Sequence, residues 1–221
     1  MVLGRYLIPD KQSGEFVACM EDVLDVYTRA YPVVCMDESP KQLFGEVREP
    51  APMKSGYVRK IDDEYERKGV AELLLAVEPL TGYLRVDVLA RRTKQDWAHF
   101  IKALVDDEYP NCEKLILVMD NLNTHRIGSL YETFQAEQAH RIAQKIEIHY
   151  TPKHGSWLNV AEIGFSLLKR QCLPERVGSI EELNSYVTSY VKERNSYPKK
   201  VNWQFKTADA RIKLCHLYPE L

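Results

Sequence analysis

Two short apolar runs, Val33-Val34-Cys35-Met36 and Leu115-Ile116-Leu117-Val118-Met119, contain no polar residue, and each stops at an aspartate, Asp37 and Asp120. Runs of this length, apolar on both faces, are the signature of central strands in a sheet covered on both sides. They constrain the chain to an α/β architecture, because a doubly buried sheet needs a helical layer on each face. They also predict a carboxylate at each strand end, in the crevice where open α/β sheets usually bind ligands. A lone aspartate at a strand end is more commonly a turn or cap residue, so neither one carries a function by itself.

The rest of the chain fits around these strands. Ser13 to Arg29 reads as an amphipathic helix, with Phe16, Val17, Met20, Val23, Leu24 and Tyr27 at helical spacing. Pro40 to Gly69 reads as a mostly irregular, substrate-contacting excursion with one short strand near Leu43 to Val47. Ala71 to Val77 and Tyr83 to Leu89 form a hairpin across Pro79-Leu80-Thr81-Gly82. Helical spacing returns over Asp96 to Val105 and Gly128 to Ala143, a strand is predicted at Ile146 to Tyr150, and long helices at Ser156 to Cys172 and Ile180 to Arg194. This order, with an antiparallel hairpin ahead of parallel crossovers, predicts an α/β fold with an RNase H-like mixed sheet flanked by helices. The expected division is an N-terminal linker and helix over 1–31, the main domain over 32–195, and a C-terminal tail over 196–221 with a short helix at Ala208 to His216.

Charge and composition narrow the function. A net charge of −2 and a pI near 6.3 argue against a stand-alone module that coats nucleic acid, which needs a basic excess. They do not argue against a nucleic-acid enzyme, whose acidic metal site subtracts charge. The five cysteines include no C-x-x-C pair and the six histidines no H-E-x-x-H, so disulfide and zinc chemistry find little support. No apolar stretch approaches the roughly 18 to 20 residues of a membrane span. A cytoplasmic protein with no membrane contact is expected.

A third acid completes the pattern. Glu162 is the only acidic residue between Glu147 and Glu175. In a helix over this segment, Asn159, Glu162, Ser166 and Lys169 share one face while Val160, Ala161, Gly164 and Leu168 face the core. Three carboxylates from separate elements suit a two-metal phosphodiester reaction, in which they hold Mg²⁺ ions about 3.5 to 4 Å apart. Taken alone, Glu162 is equally at home on a solvated helix face.

The segments V-V-C-M-D-E-S around Asp37, L-V-M-D-N-L-N-T-H ending at His125, and Y-T-P-K-H-G-S-W-L-N-V-A-E ending at Glu162 together resemble the DDE transposases of bacterial insertion sequences related to the mariner superfamily. The resemblance implies that Asp37, Asp120 and Glu162 are the metal-binding catalytic triad, with Mg²⁺ as cofactor and Mn²⁺ as a substitute. It implies metal-assisted cleavage at transposon ends followed by attack of the freed 3′-hydroxyl on target DNA. Asn121, His125 and Asn159 match supporting positions; His125 also reads as a satisfied loop histidine, and Trp157 as a packing residue. Relatives carry helix-turn-helix modules ahead of this domain, so a separate DNA-binding half is an expected partner, along with double-stranded DNA and a second copy to hold paired ends.

Charge pairs are usually solvated surface, but those flanking the Glu162 motif suit a phosphodiester substrate. Lys153, His154, Lys169 and Arg170 are therefore the favoured DNA contacts, with Arg91 and Arg92 behind them. The pair Arg59-Lys60 is a further candidate. An RNase H-like nuclease without strand transfer shares the same metal chemistry. A catalytically silent transposase remnant acting as an interaction module is the alternative from another class.

Overall fold

The computed structural model describes residues 13–29, 32–48, 56 and 64–220. The start of the expected linker before Ser13, the middle of the Pro40 to Gly69 excursion apart from Gly56, and the pair Arg59-Lys60 lie outside these residues. Among the described residues, strands β1 (Val33–Glu46), β2 (Tyr65–Val77), β3 (Leu84–Leu89), β4 (Leu115–Met119) and β5 (Ile146–Tyr150) form one mixed sheet in the order β3-β2-β1-β4-β5. The first three strands are antiparallel, and β4 and β5 join in parallel. The expected RNase H-like fold class is thus observed.

Side-chain alternation along β1 explains the layers. Val33 and Cys35 pack with α1 (Gly14–Val26), α5 (Ala161–Gln171) and α6 (Ile180–Ser196) on one face. Val34 and Met36 pack with α2 (Lys94–Ala103), α3 (Ile127–Thr133) and α4 (Ala136–Lys145) on the other. Ser13 caps α1 by accepting from the Phe16 N–H, and Thr93 with Asp96 forms a capping box on α2. Among the described residues no helix is long and apolar enough to cross a membrane.

Several boundaries differ from expectation. The first strand does not end at Asp37: β1 continues to Glu46, paired with β2 from Cys35 onward, and the supposed separate strand at Leu43 to Val47 is its extension. What stops near Asp37 is the parallel neighbour, since β1 pairs with β4 only through Val33, Val34 and Cys35. Pro40 falls in this one-sided stretch, where a strand can carry a residue lacking an N–H. The first half of β2, Tyr65 to Val70, is exposed and mostly polar, which is why its sequence reads as irregular. The helical stretches expected over Gly128 to Ala143 are two, α3 and α4, parted at Phe134, whose backbone is extended (φ −118°, ψ 161°) and whose ring meets His99 edge-on.

The last turn of α6 and the segment after it also pack on the domain. The Asn195 side chain bonds both the N–H and the C=O of Leu84 at the start of β3. Helix α7 (Thr207–Lys213), where a short helix was expected, ties to α1 through the two-pronged Arg211–Glu21 pair. At the β2–β3 turn, Gly82 adopts φ 81°, and a Cβ there would sit 2.6 Å from the Lys199 backbone. Gly82→Ala is expected to cost more than about 1 kcal/mol, read as a lower urea midpoint. An unchanged midpoint would show that the Lys199 segment yields freely.

Candidate active site

The site grows from the register of β1 against β4. Cys35 pairs with Val118 in parallel, so Asp37 and Asp120, each two residues further on, emerge side by side. Asp37 shares its face with Cys35, toward α5.

Helix α5 delivers Glu162 in its first turn, and Asn159 fixes where that turn begins. The segment Ser156–Cys172 is not one helix as expected: a 3-10 turn over Ser156–Leu158 precedes α5, and Asn159 lies between them, buried. Asn159 therefore does not share the exposed face of Glu162, Ser166 and Lys169. Its Nδ2 donates to the Met36 carbonyl at 2.9 Å and its Oδ1 accepts from the Ala161 N–H at 3.1 Å. One amide thus pins the start of α5 to the strand residue before Asp37. The Tyr27 hydroxyl donates to the Leu158 carbonyl at 2.7 Å, holding the same turn from α1's side. Gly164 lets the helix close down on the sheet, since a Cβ there would meet Leu75 at 3.0 Å.

Convergence of the three acids has an electrostatic signature. The Asp37 carboxyl is pushed up to about 7, first by burial and then by the negative charges of Asp120 and Glu162. The Glu38 N–H, donating to Asp37 Oδ1 at 2.8 Å, and the charge of His125 only partly offset this. Asp120 is partly exposed and Glu162 exposed, so the cluster opens to solvent on one side.

Among the described residues no group of three or more His, Cys, Asp or Glu side chains stands close enough together to hold a metal ion as it is. The donor set still suits a hard divalent cation: the converging groups are carboxylates, and their mutual repulsion is what a cation offsets. Asp37, Asp120 and Glu162 are the residues that would hold it.

His125 lies behind this cluster, fully buried. Its Nδ1 is 2.7 Å from Asp120 Oδ1 and its Nε2 2.9 Å from Glu38 Oε1. Burial disfavours charge on the imidazole, but these two hydrogen bonds outweigh it and push its pKa up to about 9. At neutral pH the ring is therefore an imidazolium donating both N–H groups. Trp97 of α2 stacks on it, with centroids 6.0 Å apart, and the Tyr150 hydroxyl donates to the His125 carbonyl at 2.7 Å.

Of the remaining sequence-predicted residues, Asn121 is exposed beside Asp120. Lys153 and His154 are exposed on the turn after β5, where His154 has φ 67°. Lys169 and Arg170 are exposed in the last turn of α5, and Arg91 is exposed after β3. Arg92 is engaged: its Nε is 3.3 Å from Glu38 Oε2. Sequence reasoning missed Glu38, Trp97 and Tyr150. Only Glu38 had a legible signal, its place beside Asp37 on a strand, which sends it to the opposite face.

The family described as DDE superfamily endonuclease matches residues 32–184. Among solved structures, the chain is similar to the Mos1 mariner paired-end complex with Mn (TM-score 0.54, 14% identity, covering 87% of this chain and 59% of that one). It is similar to the Mos1 strand transfer complex (0.55, 15%, 87% and 58%). It is also similar to the Mos1 paired-end complex with Mg (0.52, 14%, 90% and 61%). The chain thus spans about three fifths of these proteins, and at such identities the likeness is one of fold. No curated protein sequence matches it.

Proposed function

The chain belongs to the family of DDE superfamily endonucleases, and on that premise we propose that it is the catalytic domain of a mariner-like DNA transposase. The observation that carries this reading is the convergence of Asp37 on β1, Asp120 just past β4 and Glu162 on α5, where burial first and then the charges of the other two acids raise the Asp37 carboxyl to about 7. The Mos1 structures of similar fold, described as paired-end complexes with Mn and with Mg and as a strand transfer complex, support DNA and a divalent metal as partners.

In this reading Asp37, Asp120 and Glu162 hold the metal. What Mg²⁺, or Mn²⁺ in its place, supplies when bound is Lewis acidity toward the attacking and leaving oxygens of a phosphodiester. Asn159 keeps Glu162 against the strands, and His125 keeps Asp120 in place. Asn121 contacts substrate at the open side. Lys153, His154, Lys169 and Arg170 form a positive rim that takes backbone phosphates, with Arg91 and Arg92 further out. Transposon-end and target DNA are the substrates, a second copy pairs the ends, and a separate helix-turn-helix half recognises them. The location is cytoplasmic, on the nucleoid when DNA is bound.

The test is incubation of the purified chain with a pre-cut transposon end bearing a 3′-hydroxyl, in Mg²⁺ or Mn²⁺. Joined product supports the transposase reading. Nicking without joining assigns a nuclease instead, and silence with a helix-turn-helix half supplied and metal bound assigns a non-catalytic remnant. For the rim, reversing the charges of Lys169 and Arg170 is expected to weaken DNA binding. The slope of log K against log salt should shrink by about 0.9 for each phosphate that is no longer neutralised. An unchanged slope removes these two residues from the interface.

A further inference from the structure

Asp37 and Glu38 are neighbours on β1 and face opposite sides of the sheet. Asp37 lies toward α5, whereas Glu38 follows Val34 and Met36 toward the α2–α4 layer. The segment after β4 carries His125 into that same layer, where its ring spans two carboxylates, Glu38 on β1 and Asp120 just past β4. The result is a chain from the protein surface to the site: Arg92 Nε, Glu38, His125, Asp120. The Glu38 side chain is only 5% exposed, and its Oε2, though 3.3 Å from Arg92 Nε, has no hydrogen-bond partner.

Burying this carboxylate is not a gain in stability. An ion taken out of water costs several kcal/mol, and an apolar residue of similar volume is often neutral or better. The benefit lies at the other end of the chain. Asp120 is 37% exposed and follows the last residue of β4. Without a fixed partner its carboxylate would sample rotamers about both of its side-chain torsions.

We infer that Glu38 is a positioning residue for the candidate active site: through His125 it fixes the Asp120 carboxylate by one oxygen, leaving the other for a cation, while Arg92 anchors the outer end. This rests on the reading of Asp120 as a metal ligand. Partners that orient metal ligands from behind typically change metal affinity by about 10- to 100-fold when removed.

The experiment is Mn²⁺ binding by the full chain, followed by the electron paramagnetic resonance signal of free Mn²⁺, with thermal melting beside it. Glu38→Leu is expected to weaken binding by about 10- to 100-fold, whereas Glu38→Gln, which still accepts from His125, keeps most of the affinity. In an Asp120→Asn background, Glu38→Leu should cause no further loss, because the two residues act through one bond. A general structural defect would add to the Asp120 loss instead. Wild-type affinity in Glu38→Leu, or losses that add, overturn the inference. If Asp120→Asn itself binds Mn²⁺ as the wild type does, it is the metal-ligand reading that fails. Should Glu38→Leu not melt cooperatively, Glu38→Asp, which keeps the charge but cannot reach His125 in the same way, takes its place with the same expected loss.

Discussion

Replacing Asp120 with alanine is expected to lower metal-dependent nicking and joining of transposon-end DNA by about 10³-fold or more, equivalent to about 4 kcal/mol of transition-state stabilisation. The change removes a carboxylate oxygen from the open side of the cluster. It also leaves the buried His125 imidazolium with Glu38 as its remaining hydrogen-bonded counter-ion. These effects are separable. Asp120→Asn keeps an acceptor for the His125 Nδ1–H while deleting the charge. Equal losses in the alanine and asparagine variants therefore assign the effect to the carboxylate as a metal ligand. Substantial activity in Asp120→Asn would falsify that role and leave Asp120 as an anchor for the histidine. Nicking and joining should fall together, since both steps draw on the same acid cluster.

How much of this was legible in the sequence depends on what each signal reports. The apolar runs placed β1 and β4 at the centre of the sheet because burial on both faces leaves no other pattern. The candidate acids gave weaker signals: two follow those runs directly and the third stands alone in a long segment with few charges, and only the resemblance of their segments to a known family joined them. Strand extent was not legible. Polar residues such as Glu66, Arg67 and Lys68 form the exposed half of β2, where pairing with β1 rather than burial sets the conformation. The face of Asn159 was misread for a related reason. Helical periodicity cannot show that a side chain will leave its face to bond the Met36 carbonyl and the Ala161 N–H, because the Met36 partner lies 123 residues away. The chain from Arg92 through Glu38 to His125 is a product of tertiary structure. Its members are ordinary surface residue types, brought together only when β1 and β4 pair in parallel.

Burial of Asp37, together with the crowding of carboxylates around it, should make the metal-free chain lose stability as the pH rises. The Asp37 carboxyl goes from an ordinary 3.8 to about 7 on folding, so the folded chain holds that proton more tightly. The stability this contributes is complete below about pH 4 and is lost as the pH rises through 7. His125 moves from 6.5 to about 9, so its contribution is complete below about pH 6.5 and lost through pH 9. In EDTA, melting temperature is therefore expected to fall in two stages between pH 5 and pH 9. Asp37→Asn, which cannot ionise, removes the first stage and leaves the second. At pH 8 the variant should melt higher than the wild type, by at most about 4 kcal/mol of stability. At roughly 2–4 °C per kcal/mol for a chain of this size, half of that is about 4 to 8 °C. Adding Mg²⁺ should close the gap, since a cation that binds only the folded state stabilises the protein retaining all its ligands more than the one lacking Asp37. If the asparagine variant melts no higher than the wild type in EDTA at pH 8, then Asp37 is better solvated than its burial implies. Electrostatic crowding would then no longer argue for a cation site.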